Sequence, residues 1–181
     1  DTAEATVTLN NVNDDPIFAP STYTFNVNEG AQSGAVIGSV SASDVDDLQF
    51  SYQILSGAAG LFSINDAGQI SITRITDDAD VGSYNLLVEV SDDDNATDTA
   101  QVTINLNNIN DLPVFEPSVY SFSANEGTST NSIVGKVSAT DVDDQQLTYS
   151  IVSGGAGLFS INNAGQISVN KTIDDADVGT Y

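Results

Sequence analysis

The sequence predicts an all-β protein in which seven-stranded, antiparallel, immunoglobulin-like β-sandwiches follow one another along the chain. Three observations predict this architecture. The 181 residues contain an internal repeat with a constant offset of 97. Within the repeat, short apolar segments alternate with polar residues at a period of two, as half-buried strands do. No long segment has the helical period, and turn residues separate the apolar segments, which is typical of a β-sandwich.

The repeat relates residues 13–84 to residues 110–181, which match at 43 of 72 positions without a gap. Residues 1–12 align in the same way with residues 98–109. Near-copies of this kind indicate neighbours in a longer array. We therefore expect three segments: the last strand of a preceding repeat at 1–12, a complete repeat at 13–109, and a truncated second repeat at 110–181 that lacks the counterpart of 85–109.

Alternation is clearest at residues 23–28 and 50–54 of the complete repeat, where aromatic and aliphatic residues occupy every second position. Five shorter apolar segments complete the predicted set of strands, at residues 36–40, 61–64, 69–73, 84–90 and 100–106. Glycine-rich tight turns are expected at 56–60 and 153–157. Pro16 and Pro113 mark the linkers, because proline is confined to strand ends and edge strands.

The composition excludes most enzyme chemistry and several classes of partner. The chain has no Cys, His, Met or Trp, which rules out disulfides, most zinc sites and Ser-His-Asp triads. With 26 acidic and 3 basic residues its formal charge is -23, so nucleic acid and anionic membranes would be repelled. No apolar stretch approaches the ~18 residues of a membrane span. We expect a soluble segment without enzymatic activity, with any targeting signal elsewhere.

The acidic residues are concentrated in turns between the predicted strands. The clusters are Asp14-Asp15, Asp44 to Asp47, Asp77 to Asp80 and Asp92 to Asn95. Like charges this close repel unless the loops are well solvated or a hard cation collects the oxygens, as Ca²⁺ does with about 6 to 8 ligands. Oxygen donors alone allow Ca²⁺, Mg²⁺ or Mn²⁺, and the irregular set favours Ca²⁺. Composition leaves calcium sites and ordinary solvated turns equally open.

Five features occur in a fixed order along the complete repeat. They are Asn28-Glu29-Gly30, Asp44-Val45-Asp46, Leu61 to Asn65 with Gly68-Gln69-Ile70, Asp92 in Val90-Ser91-Asp92, and the linker Asn108 to Pro113. In this order they resemble the ligating glutamate, Asp-x-Asp loop, core strands, single aspartate and exit linker of the cadherin repeat family. The resemblance covers the whole chain. It implies a cadherin-type Greek-key sandwich and Ca²⁺ bound at the linkers.

The resemblance also implies two sets of calcium ligands. The linker before Pro113 would use Glu29, Asp77, Asp80, Asn108, Asn110, Asp111, Asp141 and Asp143. The linker before Pro16 would use Asn11, Asn13, Asp14, Asp44, Asp46 and Asp92. Glu126 repeats Glu29 in the second repeat and is expected to act in the same way.

Two departures from the family pattern predict weaker sites. Asn11 and Asn108 stand where the family usually has Asp, so these ligands are neutral. Ala79 stands where a bridging glutamate is expected, and Asp80 is the nearest substitute. We expect fewer ions per linker than in vertebrate adhesion molecules. Binding before Pro16 should be poor, because that site also needs acidic residues of a preceding repeat.

The sequence thus favours a calcium-stiffened tandem repeat of a secreted or cell-surface adhesin, acting as a spacer or adhesion module. The near-identical repeats favour a bacterial adhesin. The expected partners are calcium ions and neighbouring repeats of the same chain, with a homophilic protein or a surface polysaccharide as further candidates. Two alternatives stay open: a carbohydrate-binding module attached to a polysaccharide-degrading enzyme, and a filament subunit in which Thr2 to Leu9 completes a neighbour's sandwich.

Overall fold

The computed structural model describes residues 1–57, 60–155 and 157–181. The chain divides into two compact units, Asp1–Ile109 and Asn110–Tyr181, which we call unit 1 and unit 2. Both predicted glycine-rich turns include residues outside this description, namely 58, 59 and 156. Residues 1–16 carry no strand, and residues 1–12 are exposed to solvent.

Unit 1 is built from two sheets and a short strand pair. Its described residues form β1 (Ile17–Phe18), β2 (Thr22–Asn28), β3 (Val36–Ser39), β4 (Ala42–Ser43), β5 (Ser51–Ser56), β6 (Phe62–Ile64), β7 (Gln69–Ile72), β8 (Gly82–Ser91) and β9 (Thr97–Asn107). One sheet has the order β2-β9-β8-β5 and the other β3-β7-β6, while β1 pairs with β4. Each of the seven predicted segments contains a strand, and the β-sandwich is confirmed. Alternation missed β1 and β4 because two residues are too few to show a period.

Strands β2 and β9 run parallel, with Asn28 opposite Asn107, whereas the sequence predicted antiparallel pairs throughout. Strand β8 does pair antiparallel with both β9 and β5. Alternation shows which face of a strand is buried and carries no information on the direction of the neighbouring strand. Because parallel strands end at the same edge of a sheet, the residues that follow Asn28 and Asn107 lie side by side.

The core of unit 1 comes from the inward faces of both sheets. Val88 and Ile104 from the four-stranded sheet and Ile70 from the three-stranded sheet are fully buried and belong to one cluster. Gly38 on β3 lies against the ring of Phe25, and an added Cβ would come within 2.3 Å of that ring. The glycine therefore permits a close approach that a larger residue would prevent.

Unit 2 repeats part of this arrangement. Its described residues form β10 (Val114–Phe115), β11 (Ile133–Lys136), β12 (Ala139–Thr140), β13 (Phe159–Ile161) and β14 (Gln166–Val169). The order β11-β14-β13 reproduces the three-stranded sheet, and β10 pairs with β12. Residues 119–125 and 148–152, the counterparts of β2 and β5, are not strands. In unit 1 those strands bond to β9 and β8, whose counterparts do not occur within residues 110–181.

Each unit has a short 3-10 helix at the equivalent place, Asp78–Asp80 in unit 1 and Asp175–Asp177 in unit 2. Asp77 and Asp174 are the N-cap residues. We call the segments 77–80 and 174–177 the acidic turns. They belong to the loops that follow β7 and β14.

Candidate metal centre

The segment before Pro16 is held against two acidic loops of unit 1. The side-chain amide of Asn11 donates to Oδ1 of Asp46 at 2.7 Å, and the backbone N–H of Asp14 donates to Oδ2 of Asp46 at 2.9 Å. The side-chain amide of Asn13 donates to Oδ2 of Asp92 at 2.9 Å. Together with Asp44, these residues form what we call the entrance cluster. Six predicted ligands from three separate stretches of sequence are therefore brought together within one unit.

Asp44 shapes the loop after β4. Its Oδ1 accepts hydrogen bonds from the backbone N–H of Asp46 at 2.6 Å and of Asp47 at 3.1 Å. Its Oδ2 is buried and has no hydrogen-bond partner among the described residues. A buried carboxylate oxygen normally has a partner, since leaving it unpaired costs about 1 to 3 kcal/mol or more. This oxygen is therefore suited to a cation.

Asp92 is the residue of the entrance cluster that lies at the end of β8. It follows the last residue of β8 and is only 6% exposed. Its Oδ1 accepts from the backbone N–H of Asp94 and of Ala96, at 3.0 and 2.8 Å. The hydrogen bond from Asn13, followed by the backbone bonds, lowers the pKa of Asp92 against the opposing effect of burial. The carboxylate is thus held ionised.

Crowding of like charge is visible at Asp47, the next residue of the same loop. Burial raises the pKa of Asp47, and the nearby carboxylates of Asp92, Asp93, Asp44 and Asp94 raise it further. Asp47 was not among the predicted ligands. Its position shows that negative charge accumulates around the entrance cluster, a condition that a bound divalent cation relieves.

A second group of predicted ligands lies at the end of the parallel pair in unit 1. Glu29 directly follows β2, its backbone N–H donates to the carbonyl of Asn107 at 2.9 Å, and its Oε1 accepts from the backbone N–H of Ile109 at 2.6 Å. The N–H of Gly30 donates to the carbonyl of Thr76 at 3.0 Å, which places Glu29 beside the acidic turn that begins at Asp77. Glu29, Asp77 and Asn108 form what we call the exit cluster.

Unit 2 contains counterparts of part of each cluster. The side-chain amide of Asn110 donates to the carbonyl of Asp111, and the backbone N–H of Asp111 donates to Oδ2 of Asp143. The N–H of Asp143 donates to Oδ1 of Asp141 at 2.9 Å. Glu126 is followed by Gly127, whose N–H donates to the carbonyl of Ile173 at 2.8 Å, so Glu126 lies beside the second acidic turn.

These contacts join the predicted linker residues to the predicted acidic loops. Known proteins have the same motifs in the same order along the chain. The chain matches the family model of the cadherin domain over residues 23–107 and 120–181. The chain belongs to the cadherin family.

Curated cadherins extend the match to nearly the whole chain. The chain is 35% identical over 192 residues to the protocadherin-like wing polarity protein stan of Drosophila melanogaster, covering 97% of this chain and 5% of that protein. It is 37% identical over 161 residues to Cadherin-8 of Mus musculus, covering 78% of this chain and 20% of that protein. Cadherin-7 of Homo sapiens is 30% identical over 197 residues, covering 96% of this chain and 25% of that protein. The chain therefore spans a quarter or less of these relatives.

Solved cadherin structures share the fold. Mouse Cadherin-23 EC22-24 superposes with a TM-score of 0.70 at 28% identity, covering 94% of this chain and 58% of that chain. Human Protocadherin-24 EC1-2 superposes with a TM-score of 0.71 at 25% identity, covering 90% of this chain and 80% of that chain. The two units are thus cadherin repeats, the extracellular domain type of adhesion proteins.

One predicted ligand of the cadherin repeat is engaged elsewhere. Asp80 is 6% exposed, and its two carboxylate oxygens accept from the two terminal nitrogens of Arg74. Its Oδ2 also accepts from the backbone N–H of Asp77 at 3.2 Å. Asp80 therefore contacts Arg74 and its own turn in this structure, and its role as the substitute for the missing glutamate stays a prediction.

The role of Arg74 was missed at the level of sequence. The signal was present in the repeat itself, since Lys171 lies 97 residues after Arg74 and Asp177 lies 97 after Asp80. Lys171 indeed forms an ion pair with Asp177 at 2.7 Å.

In the described part of the chain, no helix is long and apolar enough to cross a membrane.

Proposed function

We propose that the chain is a calcium-stiffened tandem repeat of a cell-surface or secreted adhesin, acting as a spacer or adhesion module. The observation that carries this proposal is the entrance cluster, in which the linker residues Asn11, Asn13 and Asp14 contact the loop carboxylates beside the buried, unpaired oxygen of Asp44. Such an oxygen in a crowded anionic site is what a divalent cation satisfies.

The donor set fits Ca²⁺. The entrance cluster offers carboxylate oxygens from Asp14, Asp44, Asp46 and Asp92, amide oxygens from Asn11 and Asn13, and backbone carbonyls. Hard oxygen donors in an irregular arrangement favour Ca²⁺ over Mg²⁺, which demands a near-ideal octahedron. The exit cluster and its counterpart around Glu126 offer carboxylates of the same kind. Bound at these positions, Ca²⁺ would supply positive charge and oxygen coordination.

The residues themselves explain why an ion would stiffen the chain. The linker before Pro16 already bonds to two separate loops, through Asp46 and Asp92, which lie 46 residues apart in sequence. The carboxylates on those loops repel one another, and coordination converts that repulsion into a cross-link. With a Kd of ~10⁻⁴ M, typical of extracellular modules, about 10 mM calcium would stabilise the bound form by roughly 2.7 kcal/mol.

The partners and the location follow from the family. We place the chain outside the cell or at its surface, with neighbouring repeats of the same chain and calcium ions as its partners. A homophilic protein and a surface polysaccharide are further candidate partners. A bacterial origin stays a prediction, since the relatives named above are animal proteins.

The carbohydrate-binding alternative is less well supported. An aromatic platform needs exposed rings, whereas the aromatic side chains of unit 1 belong to the core or pack against it, namely Phe18, Tyr23, Phe25, Phe50, Tyr52, Phe62 and Tyr84. In the filament alternative, Thr2 to Leu9 forms a strand only in a neighbour's sandwich, and in the single chain this segment is exposed and outside any strand, as a donated strand would be.

Calorimetric titration with calcium tests the proposal. We expect saturable binding to the 181-residue chain, and a double variant Asp44→Asn, Asp46→Asn should lose the ions of the entrance cluster while keeping those of other clusters. Asp66→Asn is the matched control, because Asp66 is an exposed acid in the turn before β7. Absence of calcium binding at millimolar concentration would disprove the proposal. Equal losses in both variants would show that the wrong carboxylates were assigned.

A further inference from the structure

Two of the three basic residues of this chain occupy equivalent positions. The three are Arg74, Lys136 and Lys171, and Arg74 and Lys171 are separated by the repeat offset of 97. Each forms an ion pair with the last residue of the neighbouring acidic turn, Arg74 with Asp80 and Lys171 with Asp177. In a chain with a formal charge of -23, this placement of scarce positive charge points to a specific task at the acidic turns.

In unit 1 the ion pair is part of a closed set of hydrogen bonds. Arg74 holds both carboxylate oxygens of Asp80, and its Nη1 also donates to the carbonyl of Ile75 at 3.1 Å. Asp80 accepts from the backbone N–H of Asp77, while Oδ1 of Asp77 accepts from the N–H of Ala79 at 3.1 Å. The hydroxyl of Tyr84 donates to the carbonyl of Asp80 at 2.7 Å. Arg74 therefore holds Asp80, the last residue of the turn, and Asp80 accepts from the backbone of Asp77, the first residue.

Unit 2 repeats this set with lysine in place of arginine. Asp177 accepts from the backbone N–H of Asp174 at 3.1 Å, and Asp174 accepts from Ala176 at 2.9 Å. The hydroxyl of Tyr181 donates to the carbonyl of Asp177 at 2.8 Å. Lysine is a point charge, whereas the guanidinium holds a carboxylate with two parallel bonds. The same ion pair is thus present in both units, and in unit 1 the guanidinium of Arg74 holds its carboxylate through two hydrogen bonds.

The acidic turn needs a stabilising ion pair because its own negative charges repel one another. Asp77, Asp78 and Asp80 place three negative charges within four consecutive residues, and charges closer than the Debye length of about 8 to 10 Å repel one another. A 3-10 helix of three residues has little stability of its own, since its hydrogen-bond geometry is poor. The turn also contains Asp77, a member of the exit cluster next to Glu29.

We propose that Arg74 and Lys171 are positioning residues for cation binding, which hold the acidic turns beside Glu29 and Glu126 through Asp80 and Asp177. This inference rests on the proposed function, because it concerns the calcium ligands of the exit clusters. The side chain of Arg74 donates to Asp80 and to the carbonyl of Ile75. It acts through Asp80, whose carboxylate caps the turn at Asp77.

The test compares three variants of the 181-residue chain. Arg74→Gln removes the positive charge and the two-pronged guanidinium, Arg74→Lys introduces the residue that unit 2 has at this position, and Lys136→Gln removes one positive charge from β11. Two quantities are measured for each variant: calcium affinity by calorimetry, and hydrogen exchange of the amides of residues 77–81 with and without calcium.

We expect Arg74→Gln to weaken calcium binding by about tenfold, as loss of an outer-shell partner typically does, and to speed exchange at 79–81 even in EDTA. Arg74→Lys should keep most of the affinity, and Lys136→Gln should match the unaltered chain. Equal effects of Arg74→Gln and Lys136→Gln would overturn the inference in favour of net charge. Unchanged affinity in Arg74→Gln would overturn it in favour of a purely structural role.

The calcium measurements distinguish failure of the positioning role from failure of the proposed function. If the unaltered chain binds calcium and Arg74→Gln binds it equally well, the positioning role is wrong and the proposed function survives. If the unaltered chain binds no calcium, the proposed function is wrong and the inference falls with it.

Discussion

The backbone N–H of Ile109 donates a hydrogen bond of 2.6 Å to a carboxylate oxygen of Glu29, although the two residues lie 80 positions apart. The contact follows from the parallel pairing of β2 with β9, in which Asn28 stands opposite Asn107. Glu29 and the linker residues 108–109 leave the sheet at the same edge. One strand pair therefore brings an acidic side chain to the start of the linker without any dedicated loop.

Replacing Glu29 with glutamine removes its charge and keeps an oxygen for its hydrogen bond. Glu29→Gln keeps an oxygen that can accept from Ile109, so we expect slow hydrogen exchange at Ile109 to persist in EDTA. The loss of one ligand charge should weaken calcium binding at the exit cluster by at least about tenfold, which is ~1.4 kcal/mol. Calorimetry gives the affinity, and exchange monitored by NMR gives the hydrogen bond.

Glu89→Gln is the matched control for Glu29, because Glu89 lies on β8 and accepts from Gln53 at 2.6 Å. Its substitution should leave calcium affinity unchanged. If Glu89→Gln weakens binding as much as Glu29→Gln does, the total charge of the unit governs affinity and the exit cluster has no special role.

Asp44→Asn should have opposite effects with and without calcium. The buried Oδ2 of Asp44 has no partner among the described residues, and a neutral amide at that place removes a repelling charge. We expect the melting temperature in EDTA to rise by about 4 °C, the equivalent of about 1 kcal/mol in a domain of this size. In calcium the same variant should melt below the unaltered chain.

Scanning calorimetry in both buffers checks the Asp44 prediction, with Asp66→Asn as control. Asp66 is exposed, and its counterpart in the second repeat is Asn163, so this substitution should change neither temperature by more than about a degree. A lower melting temperature of Asp44→Asn in EDTA would show that Asp44 is stabilised by the protein alone.

The fold was predictable from sequence wherever a local pattern carried the information. Period-two alternation located β2 and β5, and short apolar segments between turn residues located the other five predicted strands, among them β9, which buries every second side chain from Ala100 to Leu106. The same alternation recurs around Tyr120 and Phe122, where the structure has no strand. The side-chain pattern there is the same as in β2, and what differs is the neighbouring strand, a non-local property that the pattern does not contain.

For the candidate site, the sequence predicted which residues lie near one another but not their contacts. The family resemblance assigned Asn11, Asp46 and Asp92 to one cluster, and hydrogen bonds link their segments in the structure. The ligand role of Asp80 stays a prediction, and its spacing did not reveal the contact with Arg74. Its side chain turns to Arg74 because the 3-10 turn and a cation six residues upstream satisfy it.

Asp80 should steepen the loss of stability in acid. The hydrogen bonds from Arg74 lower the pKa of Asp80 below its usual value of 3.8, against the opposing effect of burial. A carboxyl whose pKa is lower in the folded state stabilises the fold above its unfolded pKa, and this contribution is lost as pH falls through the folded value. In EDTA, the unfolding free energy of Asp80→Asn should therefore decline less steeply below pH 3.8 than that of the unaltered chain.

Urea unfolding at several pH values between about 2 and 7 measures this slope. Asp66→Asn again serves as control and should follow the unaltered chain. Parallel curves for all three proteins would mean that the ion pair with Arg74 contributes nothing to folding stability, as is common for exposed pairs.

Calcium and monovalent salt should restore different shares of the stability lost in EDTA. Between Asp14 and Asp111 the chain has one basic residue, Arg74, so the acidic loops repel within a Debye length of about 8 to 10 Å at physiological salt. NaCl screens part of this repulsion but cannot coordinate the oxygens of the entrance cluster, one of which is buried at Asp44. We therefore expect millimolar CaCl₂ to recover most of the melting temperature, and NaCl at matched ionic strength only a minor share. Equal recovery by both salts would reduce the acidic loops to a generic charged surface, and the calcium sites would have to be abandoned.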